Sequence, residues 1–216
     1  CGIIPLLMLR DGLLTKAVGV DISEEAAFLA KKTVEELEIS NFEVVCSNLL
    51  ELKGKVDFGC HTLITCNPPY KAPNAGLKNP DAVEMVARHE VACTLEDIIA
   101  VSAKLLQTSG RLCMCHRPER LAELMSLMTK YKVEPKRLRL VCQRKGEEPW
   151  LVLVEGRRDA KSGLRILPPL FVYDNNGNLS KEIKEIKEGQ SDEASEGDFV
   201  PMPAELKAKL LNGFKM

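Results

Sequence analysis

The chain has 216 residues, 45% of them hydrophobic, which is enough for one well-filled core with an appendage. Its 30 basic and 31 acidic residues leave a formal net charge of −1, which excludes a whole-chain basic bias towards nucleic acid. Any such surface must come from local clustering. The 8 cysteines do not read as a disulfide framework, because a chain of this length needs no staples and nothing in it marks secretion. The apolar run at residues 3–9 follows Cys1-Gly2 with no basic region, so it reads neither as a signal peptide nor as a membrane span. Reduced thiols in a cytoplasmic setting are expected.

In chain order, Gly2 followed by Ile3-Ile4-Pro5 reads as the end of a glycine-rich turn entering a helix, and the strand that should precede it is missing. Upstream residues are therefore expected. Residues 17–22 form a short buried strand ending in an acid. Ser23 is then an N-cap, with Glu24 and Glu25 in the first turn of a helix whose apolar positions are Ala26, Leu29, Ala30, Val34 and Leu37. A strand is predicted over 42–46 and another over 62–66, the latter running into Asn67-Pro68-Pro69-Tyr70. Residues 71–81 read as a loop, and 95–106 as a helix stopped near Gly110. Then come a strand over 112–115, a helix over 118–130 with Pro118 at its first position, and strands over 133–142 and 150–155. Asn175-Asn176-Gly177-Asn178 is a turn cluster, residues 181–198 a solvated, charged segment, and 203–214 a short terminal helix.

Alternating strand and helix predicts an α/β fold, a mostly parallel sheet with helices on both faces. The last two strands are joined only by a short turn around Gly146, too short for a parallel crossover, so they should form an antiparallel hairpin. The expected division is a catalytic domain over 1–175 and a charged extension over 176–216. Cys60, His61 and Cys66, and again Cys113, Cys115 and His116, are metal-ligating types lying close together. Neither group has a Cys-x-x-Cys pair and each sits in an apolar run, so both read as small core residues, with no metal.

Asn67-Pro68-Pro69-Tyr70 carries the chemistry. It follows a buried strand, which puts it at the carboxyl edge of a parallel sheet, where open α/β folds bind ligands. An exocyclic amine or a carboxamide nitrogen is a poor nucleophile because its lone pair is delocalised. The Asn67 carbonyl and a nearby backbone carbonyl can accept both of its N–H bonds and draw it towards a tetrahedral form. Pro68 and Pro69 restrict the backbone that presents this carbonyl, and the Tyr70 ring can stack on a planar substrate. The alternative is an ordinary Asn-Pro-Pro turn.

This motif resembles that of class I S-adenosylmethionine-dependent amino-methyltransferases. A longer match is similar to the bacterial tRNA1(Val) adenine-N6 methyltransferase family. It runs through Asn67-Pro68-Pro69-Tyr70, Ala87-Arg88-His89-Glu90, His116-Arg117-Pro118-Glu119-Arg120-Leu121 and Leu167-Pro168-Pro169-Leu170. The resemblance implies a Rossmann-like class I methyltransferase fold and methyl transfer from S-adenosylmethionine to an adenine N6 in tRNA. It implies catalytic roles for Asn67, Pro68 and Tyr70. It places the cofactor at Gly2, Asp21, Ile22, Asn48, Leu49 and Asn67. Asp21, ending a strand, suits the ribose hydroxyls, against the simpler reading of a helix N-terminal acid beside Ser23. Asn48 stands where the family carries an acid towards the adenine amine.

Arg88-His89-Glu90 either positions RNA or forms a solvated helix face. His116 and Arg117 end a strand beside the presumed site, with Arg117 available to a phosphate. Basic residues also cluster at Lys130, Lys132, Lys136, Arg137, Arg139, Arg144 and Lys145, and at Arg157, Arg158, Lys161 and Arg165. Such runs are more often solvated faces than RNA sites, but two on neighbouring elements of a charge-balanced chain point to a basic patch for tRNA, the expected partner, with Arg137 and Arg139 in particular. No membrane attachment and a monomeric state are expected. The other readings are methylation of a protein glutamine, as in release-factor methyltransferases, methylation of DNA adenine, and a non-catalytic RNA-binding module on the same fold.

Overall fold

In the computed structural model, residues 2–68 and 93–188 are described, in two compact units, one running to Lys55 and the other spanning Val56–Lys187. In the first unit, helix α1 (Ile3–Arg10) starts at Gly2, whose φ of 68° is left-handed. Strand β1 (Ala17–Asp21), helix α2 (Glu24–Glu36) and strand β2 (Phe42–Cys46) follow, and β1 and β2 pair in parallel from Ala17↔Phe42 to Asp21↔Cys46. Ser23 caps α2 as expected, its hydroxyl accepting from the Ala26 amide at 3.2 Å.

The Phe42 ring organises this unit. It is buried with Leu6, Leu9, Ala17 and Ile39, and Leu14, Val34, Leu37 and Val44 pack around them. The ring lies against two glycines: a Cβ at Gly2 would come within 3.1 Å of its carbons and one at Gly19 within 2.9 Å. Gly2 is thus favoured by its positive φ, and a side chain there would also press on the ring.

The second unit is built on one mixed sheet of order β3-β4-β6-β5-β7, with β8 also on β5. Its strands are β3 (His61–Cys66), β4 (Leu106–His116), β5 (Val133–Cys142), β6 (Pro149–Arg158), β7 (Arg165–Ile166) and β8 (Leu170–Phe171). β3 and β4 are parallel, while β6 is antiparallel to both β4 and β5, so the expected C-terminal hairpin is present. β7 and β8 return in parallel on β5. Helix α3 (Leu95–Leu105) opens with a reciprocal cap between Thr94 and Asp97. After β4, a 3-10 turn with Pro118 at its start leads into helix α4 (Leu121–Lys130). Ile99, Leu112, Leu124, Met128, Val133, Val152 and Val154 are fully buried.

Two expectations need correction. Gly110 does not stop α3, which ends at Leu105, but lies inside β4, a strand that begins at Leu106. A Cβ there would sit 2.9 Å from both the Gln107 and His61 carbonyl oxygens, and the pairing shifts register between His61 and Leu63. Glycine here marks a bulge, not a cap. The charged stretch after residue 180 is not wholly solvated, because its first part is helix α5 (Lys181–Glu188), capped by Ser180 and tied to the sheet through Glu182. Ordered contacts cross residue 175: the Asp174 carboxylate accepts from the amides of Asn176 and Asn178, and Tyr173 bridges to Leu179. The expected loop at 71–81 and helix at 203–214 lie outside the described residues. Among the described residues no helix is long and apolar enough to cross a membrane.

Gly156 in β6 supplies a test of packing. An added Cβ would meet Met128 Cε at 2.2 Å and Val133 Cγ1 at 2.8 Å. Gly156→Ala should lower stability to urea by about 1–3 kcal/mol, as overpacking a filled core does. An unchanged unfolding midpoint would contradict this packing.

Candidate active site

The site is built from the end of β3. Pro68 has no amide hydrogen and cannot extend the ladder, and the residue before a proline is confined to extended backbone. β3 therefore ends at Cys66, and Asn67 is held extended beyond it at the carboxyl edge of the parallel β3–β4 pair. Pro68 is buried and Asn67 exposed. The last pair in register is Cys66↔Met114, so one further step sets Cys115 of β4 level with Asn67. The Cys115 thiol donates to Asn67 Oδ1 at 3.0 Å. Burial, with the neighbouring Cys115 and Cys93, pushes the Cys66 thiol up to about 12, so it stays protonated at neutral pH.

His116, at the end of β4, is 1% exposed. Its Nδ1 accepts from the Arg117 amide at 2.9 Å. The enclosed ring thus holds the backbone at the strand end. Burial, with the charge of Arg120, lowers its pKa, so the ring is neutral at pH 7. Arg117 is exposed at the same edge, and its guanidinium donates to the Trp150 carbonyl at 3.0 Å.

The basic clusters are largely committed to the fold. Arg137 stands opposite Glu155 on the β5–β6 hairpin and forms an ion pair with it. Arg139 donates through Nε to the Pro168 carbonyl at 2.9 Å and grips the Glu182 carboxylate with both terminal nitrogens. That hydrogen bond holds the Glu182 carboxyl below the usual range. Arg157 donates to the Ser109 carbonyl and Arg158 to the Ala103 carbonyl. Arg144 reaches Glu147 at 3.4 Å and lies 5.5 Å from the Tyr173 ring centroid. Arg137 and Arg139 are thus each paired with an acid within the fold, Glu155 and Glu182.

In the first unit, Asp21 ends β1. Its Oδ1 accepts from the Ser23 amide at 3.0 Å, which meets the helix-start reading, while Oδ2 makes no hydrogen bond among the described residues. Ile22 is exposed beside it. Asn48 caps a 3-10 turn containing Leu49, its Oδ1 accepting from the Leu50 amide at 3.0 Å and keeping one lone pair. Tyr70, Pro69, Arg88, His89 and Glu90 lie outside the described residues.

Cys115, in contact with Asn67, and Glu182, in contact with Arg139, are partners that the sequence reading missed. The strand register could have found Cys115, since it ends the strand next to β3. Nothing local marks Glu182. Among the described residues no group of three or more His, Cys, Asp or Glu side chains is placed to hold a metal. The His61 ring nitrogen is taken up by the Asp57 carbonyl at 2.8 Å.

No family model matches the chain. It is 28% identical over 162 residues to two curated proteins named tRNA1(Val) (adenine(37)-N6)-methyltransferase, from two strains of Porphyromonas gingivalis. The match covers 72% of this chain and 62% of each relative, so the chain spans about three fifths of their length. Among solved structures, a predicted O-methyltransferase from Agrobacterium tumefaciens superposes with a TM-score of 0.67 at 16% identity, covering 87% of this chain and 84% of that one. A ribosomal protein L11 methylase from Lactobacillus delbrueckii gives a TM-score of 0.50 at 16% identity over 73% of this chain and 65% of that one. The chain has the α/β fold of these methyltransferases.

Two outcomes follow from the geometry. A buried neutral histidine with a lowered pKa leaves stability intact above the ordinary imidazole pKa of about 6.5 and erodes it as pH falls through the folded value, because the unfolded chain takes up the proton first. The urea midpoint should therefore drop between pH 7 and pH 5, and His116→Asn, which keeps an acceptor near Nδ1, should flatten that drop. A slope unchanged by the substitution would contradict the buried neutral ring. Arg139→Ala should lower stability by about 1 kcal/mol through loss of the Glu182 clamp. It should leave the salt dependence of tRNA binding unchanged, and a flatter salt slope would return Arg139 to the RNA surface.

Proposed function

We propose that the chain transfers a methyl group from S-adenosylmethionine to the exocyclic N6 amine of an adenine in tRNA, in the cytoplasm. One observation carries this reading: an exposed carboxamide, Asn67, fixed by Pro68 at the carboxyl end of a parallel strand and oriented by a neighbour on β4. The two Porphyromonas relatives support the adenine and the tRNA by name.

The residues present fit the cofactor. Asp21 has a spare carboxylate oxygen at a strand end, suited to ribose hydroxyls, and Asn48 has a spare lone pair for the adenine amine. Gly2 gives a left-handed start to α1, and Ile22 and Leu49 supply apolar surface beside the two polar groups. When bound, S-adenosylmethionine supplies a methyl group already activated on a sulfonium.

Methyl transfer of this kind is a one-step displacement and needs no protein nucleophile. Asn67 accepts an N–H of the target amine, fixes the nitrogen lone pair on the line of attack and favours the tetrahedral form. Its hydrogen bond strengthens as positive charge develops on nitrogen, so it lowers the barrier and not merely the ground state. Pro68 holds the backbone behind it, and the Tyr70 ring is assigned to stacking on the base. Arg117, exposed at the same edge, is the cation assigned to an RNA phosphate.

Asn67→Ala should slow single-turnover transfer to an accepted tRNA by about 10²–10³ while leaving cofactor affinity nearly unchanged. Asn67→Asp should keep part of the rate because it keeps an acceptor. An Asn67→Ala protein running at the wild-type rate would reduce the motif to a structural turn.

A further inference from the structure

We propose that Trp150 and Arg117 form a second nucleotide subsite, in which the indole stacks on an unpaired base of the RNA strand near the target adenine and the guanidinium meets its phosphate. This rests on RNA being the substrate under the proposed function. The pairing of β6 singles out Trp150. Leu151 pairs with Val141 but Pro149 pairs with Cys142, so β6 carries one extra residue, Trp150, as a bulge. On the other side, pairing with β4 ends at His116↔Val152. In place of a ladder partner, the Trp150 carbonyl accepts from the Arg117 guanidinium at 3.0 Å.

The bulge has a consequence for exposure. Val152 and Val154 alternate onto a face buried beneath α4, where a Cβ at Gly156 would strike Met128. An extra residue breaks that alternation, and Trp150 stands 38% exposed. Phe28 and Phe58 are also exposed, but Phe28 lies on α2 in the other unit and Phe58 precedes β3, at the opposite edge of the sheet. Trp150 shares the edge of Asn67, because β6 runs antiparallel to β4 and β4 parallel to β3. Two steps of strand spacing separate β6 from β3, about 10 Å. A nucleic-acid strand rising about 3.4 Å per nucleotide covers that distance in about three. An indole face accepts any base, and a planar guanidinium matches a phosphate. Tying Arg117 to the Trp150 carbonyl keeps the cation beside the ring, as one nucleotide with its base and phosphate requires. A glutamine-bearing protein offers neither group, so the subsite selects for RNA.

The chain has a single tryptophan, so indole emission reports this position alone. Wild type is titrated with total tRNA, with single-stranded DNA and with inorganic polyphosphate, which carries the charge without bases. Total tRNA should quench the emission and polyphosphate should not. Trp150→Ala should weaken tRNA binding by about five- to fiftyfold, as loss of one stacked base does, and Trp150→Phe should keep most of the affinity. Stacking carries no charge, so Trp150→Ala should leave the log–log salt slope of tRNA binding unchanged, whereas Arg117→Ala should reduce it by about one. No quenching by tRNA, equal quenching by polyphosphate, or wild-type affinity in Trp150→Ala would overturn the proposal. DNA binding more tightly than tRNA would overturn it as well. Should Trp150→Ala fail to fold, the wild-type titration and Trp150→Phe carry the test. Quenching needs no methyl transfer: a wild type that tRNA quenches but that methylates no tRNA upholds the subsite and sinks the proposed function, and one that methylates tRNA without quenching does the reverse.

Discussion

Pro68 lacks an amide hydrogen, and the placement of the candidate site depends on that absence. A ladder cannot continue through a residue with nothing to donate, and the residue before it is confined to extended backbone. β3 therefore stops at Cys66 and Asn67 stands clear of the sheet without the freedom of a loop residue. The parallel neighbour β4 continues to His116, so it supplies a wall of ordered backbone beside Asn67. That wall carries Cys115 on the carboxamide and His116 locked to the Arg117 amide. A reactive edge of this kind needs rigidity without occlusion. Ending one strand early while its partner runs on provides both.

Much of this was legible in the sequence because local rules and tertiary structure agree. The strands at 42–46 and 133–142 occupy the residues that apolar patterning predicts, Ser23 caps the helix it precedes, and the hairpin forms around the short turn at Gly146. Where the reading failed, the deciding interaction was remote. Gly110 resembles a helix stop, yet its value is the space it leaves against the His61 carbonyl on another strand. The segment from Lys181 reads as solvated because its composition is charged, yet Glu182 meets an arginine 43 residues earlier in the chain. Composition describes what a segment prefers in isolation, not which partner the fold brings to it.

The basic clusters teach the same lesson about charge. Arg137 and Arg139 lie two apart on β5, which looks like a cationic stripe until the partners are known. Each is answered by a carboxylate, Glu155 across the hairpin and Glu182 on α5, and Arg157 and Arg158 are spent on backbone carbonyls. With 30 basic and 31 acidic residues, such mutual commitment is expected, and the clusters serve the sheet before any ligand. Among the described residues, Asn67 and Arg117 are exposed at the β3–β4 edge and His116 is buried there. Recognition of a planar amine by a small number of well-held groups is consistent with such a site.

The central claim is that the carboxamide at the end of β3 serves the N6 amine of adenine in tRNA, and the target class is what most directly tests it. Radiolabelled methyl transfer from S-adenosylmethionine should be measured on total tRNA, total protein and DNA side by side, followed by nucleoside analysis of the labelled product. The account predicts label in tRNA, recovered as N6-methyladenosine, with protein and DNA at background. Label recovered in protein glutamine or in DNA, or none in tRNA, would contradict it.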